Sequence, residues 1–135
     1  MHQFTVKTHA KVELLDITER VRSAFAQQYV KDGLCHVFIP HTTAGITINE
    51  NADPAVVQDL LKELNRMVPF DDDYAHGEGN SAAHIKASLM GFSVAVPVEG
   101  GQLVLGTWQG IYLCEFDGPR SRRVVVTALS QKFEV

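Results

Sequence analysis

From Phe4 onward the chain alternates: Phe4, Val6 and Thr8 fall on one side and Thr5, Lys7 and His9 on the other, a period of two that predicts a strand over Phe4–Val12. The period then lengthens. Val21, Ala24, Phe25 and Tyr29 keep helical spacing, Asp16, Thr18 and Glu19 offer a cap and Gly33 a stop, so a helix is expected over Glu19–Asp32. Leu34–Ile39 is a β-favouring run ended by Pro40, and in Gly45–Asn49 Ile46 and Ile48 alternate with Thr47 and Asn49. Asp53 and Pro54 mark the start of a second helix. Its stripe of Val56, Val57, Leu60, Leu61, Leu64 and Met67 lies opposite Asp59, Lys62 and Glu63 until Pro69 ends it.

A long polar loop, Pro69–Asn80, follows, with three consecutive aspartates, Asp71 to Asp73, read as a solvated acidic turn. Ser81 is placed to cap a short helix over Ala82–Met90, closed by Gly91, with Ile85, Leu89 and Met90 expected inward. The last third predicts strands at Phe92–Val98, Leu103–Leu105, Ile111–Asp117 and Val124–Phe133, separated by glycine turns. Within Ile111–Asp117, Glu115 shares a side with Ile111 and Leu113. About seven strands joined late in the chain by hairpins favour one antiparallel α+β domain over 1–135, sandwich-like in the manner of a jelly roll, with two to three flanking helices. No glycine-rich phosphate fingerprint follows a strand, which argues against a dinucleotide fold.

Composition narrows the partners. Of 135 residues, 45% are hydrophobic and 21% charged, as in an ordinary soluble protein, and a net charge of -4 offers no global basic field for nucleic acid. No apolar run approaches the ~20 residues of a membrane span, and Met1-His2-Gln3-Phe4 lacks a charged-then-apolar signal, so a cytoplasmic protein is expected. Cys35 and Cys114 fall inside strand runs and are expected as free thiols.

The densest chemistry lies in His41 to Pro54, where an imidazole, hydroxyls, carboxylates and a carboxamide surround a short apolar core. His41, His76 and His84 each adjoin a turn or helix start and are candidate ligands for a divalent metal, zinc or magnesium, with an open fourth position. No helical His-x-x-x-His pair fixes two of them on one face, so surface or capping roles stay open. Arg120, Arg122 and Arg123 offer forked donors matched to phosphate oxygens, or partners for Asp117 or a neighbouring subunit. Glu50, Asp53 and Glu115 are carboxylates beside apolar strand residues, suited to acid–base work if burial raises their pKa. Trp108 and Tyr112 offer surfaces for a flat ring, and Thr42, Thr43 and Asn51 are readable either as site groups or as turn and cap residues.

His41-Thr42-Thr43-Ala44-Gly45 through Asn49-Glu50-Asn51-Ala52-Asp53-Pro54, then His84-Ile85-Lys86-Ala87-Ser88 with Gly91, then Leu105-Gly106-Thr107-Trp108-Gln109, and the arginines after Gly118-Pro119 together resemble the YjbQ family, whose members are described as secondary thiamine-phosphate synthases. The resemblance covers nearly the whole chain. It implies a β-sandwich-like homotrimer with a weak transferase activity that joins hydroxymethylpyrimidine diphosphate to thiazole phosphate. Carried over by motif, His41, Thr42, Glu50 and Glu115 take catalytic roles. The same motifs carry over Asn51, Gln109 and Arg122 as substrate-binding residues and His76 and His84, with His41, at or near a metal. Trp108 and Arg120 join the expected substrate contacts by their own chemistry, a stacking surface and a forked donor. One departure stands out: many relatives carry an aspartate where this chain has Ala82. Two other functions compete, a metal-dependent hydrolase of a small phosphorylated metabolite and a trimeric protein that binds a metabolite or metal without turnover.

Overall fold

Gly110 to Phe116 is buried without a break, the mark of a strand covered on both faces. The rest of the chain is arranged around it. The computed structural model describes residues 1–131, and Lys132 and Phe133 of the last expected strand lie outside the described residues.

In chain order the elements are β1 (His2–Lys7), β2 (Glu13–Asp16), α1 (Thr18–Ala26), β3 (Gly33–Phe38), β4 (Ala44–Glu50), α2 (Pro54–Met67), α3 (Ser81–Met90), β5 (Ser93–Glu99), β6 (Gln102–Leu103), β7 (Gln109–Glu115) and β8 (Ser121–Ser130). Every strand pair is antiparallel. Five strands form one sheet in the order β1-β8-β3-β5-β6, and three form the other in the order β2-β7-β4. The fold is therefore α+β, with two antiparallel sheets and three helices among the described residues.

The alternation along β7 divides the interior. Ile111 and Leu113 join Ile46, Val37, Val96, Val124 and Val126 in the apolar cluster to which both sheets contribute, together with Val21 and Phe25 of α1. Cys114 points the other way, and with Phe116 it packs against Leu64 of α2 and Ala83 and Ala87 of α3. Cys35 and Cys114 are both buried free thiols, and burial pushes them up to about 11 and about 12. Neither is a nucleophile at neutral pH.

Three expected elements differ, each for a local reason. The first helix ends at Ala26 rather than Asp32, because Gln28 turns its side chain back: Nε2 donates to Ala24 O and Val126 O, and Oε1 accepts from Ala128 N. Tyr29 then takes a left-handed φ of 53° and is 92% exposed, not part of the apolar stripe. The Phe4–Val12 strand stops at Lys7, and Glu13–Asp16, too short to show a period, pairs with β7 instead. In α3 the inward residues are Ala82, Ala83, Lys86 and Ala87, while Ile85 and Leu89 face out at 40% and 57% exposure. Asn80, not Ser81, occupies the cap position there. Small side chains are needed because Gly45 of β4 lies against the end of α3, and a Cβ on Gly45 would sit 2.6 Å from Gly91 O. The second helix starts as read, with Asp53 Oδ1 accepting from Ala55 N at 2.9 Å and Pro54 in the first turn, but of its expected stripe only Leu64 is buried and Met67 is 59% exposed.

Candidate functional site

The β7–β8 turn brings one carboxylate and one guanidinium together below the surface. Glu115 closes β7 fully buried, and Arg122 enters β8 with 2% exposure. Arg122 Nε donates to both Glu115 oxygens at 2.9 and 3.1 Å, and Nη2 reaches Oε2 at 2.5 Å and Thr43 Oγ1 at 2.8 Å. Thr8 Oγ1 donates to Glu115 Oε1 at 2.8 Å, and Asp117 N donates to Oε2 at 3.1 Å. Gly118 makes this closeness feasible, since a Cβ there would fall 2.3 Å from Ala10 O and 2.9 Å from Thr8 Oγ1.

Glu115 is thus saturated with donors and shielded from solvent. A carboxylate so engaged has no lone pair facing a substrate, so the acid–base role expected of it is replaced by one of support. Arg122 is likewise spent inward. Arg120 and Arg123 are both exposed, and Arg120, which lines the cavity, is tied by Nε to Asp117 O at 2.8 Å and by Nη2 to Asp117 Oδ2 at 3.2 Å.

Above this pair lies a polar cavity of about 460 Å³, walled by Pro40 to Thr43 at the end of β3, by Arg120 and Arg122, and by His76, Glu78, Asn80 and His84. Thr42 lines it, and the Thr43 hydroxyl accepts from Arg122 below. His41 Nε2 accepts from the backbone N–H of Arg123 at 2.8 Å, so the neutral ring carries its proton on Nδ1. Desolvation first, then the charges of Arg122 and Arg123, lower the His41 pKa below the ordinary histidine value, which keeps the ring neutral. His76 and His84 meet edge to face, ring centroids 5.4 Å apart and planes at 90°. His84 sits in the first turn of α3, where unpaired backbone N–H groups favour negative charge. Asn80 donates from Nδ2 to Asp117 Oδ2 at 2.9 Å, while its Oδ1 is buried with no partner.

The three histidines expected to ligate a metal therefore share one cavity but do not converge as ligands. The lone pair on His41 Nε2 is taken by a backbone donor, and His76 and His84 pack ring on ring. Among the described residues no group of three His, Cys, Asp or Glu side chains is arranged to hold one ion.

The other expected site residues lie elsewhere. In the β4–β7 ladder Ala44 pairs with Glu115 and Glu50 pairs with Gln109, six residues along, a separation of about 20 Å at strand rise. Asn51 and Gln109 line a second pocket of about 300 Å³ with Arg20, Arg22 and Thr107. Gln109 Oε1 accepts from Gly106 N at 2.8 Å, and the Glu50 carbonyl accepts from the Tyr112 hydroxyl at 3.0 Å. Trp108 is 62% exposed. Sequence reasoning missed Thr8 and Asn80, which act through long-range contacts, and Lys86, whose signal was a small-residue stripe of Ala82, Ala83 and Ala87 with one charge in it.

A small antiparallel α+β protein with imidazoles and arginines around one polar cavity is the class that the fold and site define. The chain belongs to the family described as UPF0047 protein YjbQ-like, which matches residues 2–131. It is 47% identical to a UPF0047 protein of Methanocaldococcus jannaschii, over 98% of this chain and 96% of the relative. It is 50% identical to UPF0047 protein YugU of Bacillus subtilis, over 87% of this chain and 89% of the relative. The crystal structure of a YjbQ/UPF0047 family protein from Clostridium acetobutylicum is similar to it with a TM-score of 0.92 and 54% identity, covering 94% of this chain and 98% of that one.

Proposed function

We propose that the histidine–arginine cavity holds the phosphoryl groups of a small phosphorylated metabolite, and that the protein is a cytoplasmic, weakly active transferase joining hydroxymethylpyrimidine diphosphate to thiazole phosphate. The observation that carries this reading is the placement of His41, His76, His84 and Arg120 around one cavity of about 460 Å³. In such a reaction the C–O bond to diphosphate breaks, the thiazole nitrogen forms the new C–N bond, and diphosphate leaves with the electron pair. The protein's work is to position the two reactants and to neutralise charge on the leaving group. His41 suits this, because a neutral ring with its Nε2 engaged offers an Nδ1–H donor. Arg120 suits it too, since its exposed head can turn from Asp117 to an incoming phosphate.

The homotrimer belongs to the same reading. On it the two sheets are layers of a sandwich, and the outer face of the five-stranded sheet supports association. There Leu34 stands opposite Leu129, and Phe38 opposite Val125, with Leu34, Phe38 and Leu129 exposed by 43%, 42% and 52%. A neighbouring copy would also offer Asn51, Trp108 and Gln109 to a shared pocket, which one chain does not.

The test is to supply both substrates and measure thiamine phosphate by chromatography, with added magnesium or zinc and with chelator. Arg120→Ala and His84→Ala are expected to lower turnover about a hundredfold, in the range seen when a transition-state donor is removed, while the fold is kept. Phosphate release from single phosphorylated compounds, dependent on added metal, would select the hydrolase instead. Tight analogue binding with no product at high protein concentration would select a binding protein.

A further inference from the structure

Lys86 is fully buried, on the inward face of a helix whose other inward residues are alanines. A leucine or methionine would fill that volume without the cost of desolvating a charge. Its Nζ donates to Asn65 Oδ1 at 2.6 Å and lies 3.7 Å from the centre of the Phe70 ring, and neither partner carries a negative charge. Lys11 Nζ stands 4.2 Å from the same ring centre. Burial, and then the nearby Lys11, bring the Lys86 pKa down to about 8. A local sequence choice that costs stability calls for a role in the site.

The contacts indicate which role. Asn65 belongs to α2, and Phe70 opens the long loop that carries His76, Glu78 and Asn80 to the cavity. Among the described residues, the hydrogen bonds between Pro69 and Gly79 run within the loop itself: Tyr74 hydroxyl to Pro69 O, Tyr74 N to Asp72 O, Asp73 N to Asp72 Oδ1 and Gly79 N to His76 O. Side chains tie the loop to the body near its two ends, Phe70 against Lys86, the nearer of two lysines on its ring, and Asn80 on Asp117. His76 lies between these tethers. Lys86 and His84 are two residues apart on α3, so one helix supplies both an imidazole of the cavity and the anchor for the loop bearing the other.

We propose that Lys86 is a positioning residue: its cation, held by Asn65, grips the Phe70 ring and so sets His76 edge to face against His84. Its value to function rests on the phosphate-binding reading above, but the geometry it controls is measurable by itself. The loss of a cation–π contact here is expected to act on the loop rather than on the core.

The experiment compares the parent with Lys86→Met, which keeps length and removes charge, and with Lys11→Met, which leaves the Lys86 grip in place. Through-space NMR cross-peaks between the His76 and His84 ring protons report the pair, and titration with inorganic phosphate reports the cavity. In Lys86→Met the cross-peaks are expected to disappear and phosphate affinity to fall about tenfold, the loss of one charge-assisted hydrogen bond, with a urea midpoint no lower than the parent's. Lys11→Met keeps both signals. Cross-peaks that persist in Lys86→Met overturn the proposal. Cross-peaks lost in that variant while the parent itself shows no phosphate binding uphold the positioning role and sink the phosphate reading alone. If Lys86→Met fails to fold, Phe70→Leu cuts the same tether from the loop side, and persistence of the cross-peaks there overturns the proposal equally.

Discussion

Glu115 shows how little a residue's type says about its task. Its neighbours spend it entirely on Arg122, Thr8 and the Asp117 backbone, so its removal is a matter of folding before it is one of chemistry. Glu115→Gln leaves a guanidinium with 2% exposure and no counter-charge, and a loss of about 3–5 kcal/mol is expected from urea unfolding. Adding Arg122→Met to that variant should restore most of the loss, because exchanging both partners for neutral groups removes the orphaned charge. An unchanged midpoint for the single variant would contradict the pairing. The sequence located this carboxylate correctly on the side of Ile111 and Leu113. Its saturation was not readable, because Thr8 approaches from more than a hundred residues away. The cavity residues His41, Thr42, His76, His84, Arg120 and Arg122 were readable because each is a polar group at a turn or element end.

Among elements, α3 carries most of the surprise. Two stripes share its sequence, one of large residues at Ile85 and Leu89 and one of small residues at Ala82, Ala83 and Ala87, and hydrophobicity alone favours the first. Space decides for the second. Gly45 allows β4 to approach so closely that Ile46 N donates to Gly91 O at 3.0 Å, and the inward face turns small side chains and the one buried Lys86, rather than Ile85 and Leu89, toward the body. Gly45→Ala is therefore expected to cost about 1–3 kcal/mol by overpacking against backbone and to shift His84 with its helix. Thermal unfolding measures the cost, and the His84 ring chemical shifts report the movement. Full stability in that variant would show that α3 can move aside freely. The same kind of reason separates Glu50, Asn51, Trp108 and Gln109 from the histidines. Their motifs were legible and so were both strands, but the pairing of β4 with β7, which periodicity does not show, is what holds them at the far end.

At the scale of the whole molecule, the exposed apolar face around Leu34, Phe38 and Leu129 is the surface on which the proposed trimer depends. Phe38→Glu should leave the chain folded and turn a trimer into a monomer, read by light scattering after gel filtration. A parent that is itself monomeric, or a variant that stays trimeric, would remove that face from the assembly. Strand β7 has a different consequence, one of local stability. It is covered on both faces and bonded along both edges, so its amides are released to exchange with solvent only when the entire fold opens. The cavity thus has two walls of unequal permanence. The Glu115 end is fixed to the slowest-opening part of the chain, whereas the Pro69–Asn80 wall, held by side chains at Phe70, His76 and Asn80 and by no strand pairing, is expected to open at lower cost. A bulky ligand could enter through that wall by a sub-global opening, leaving the charged floor beneath it in register throughout.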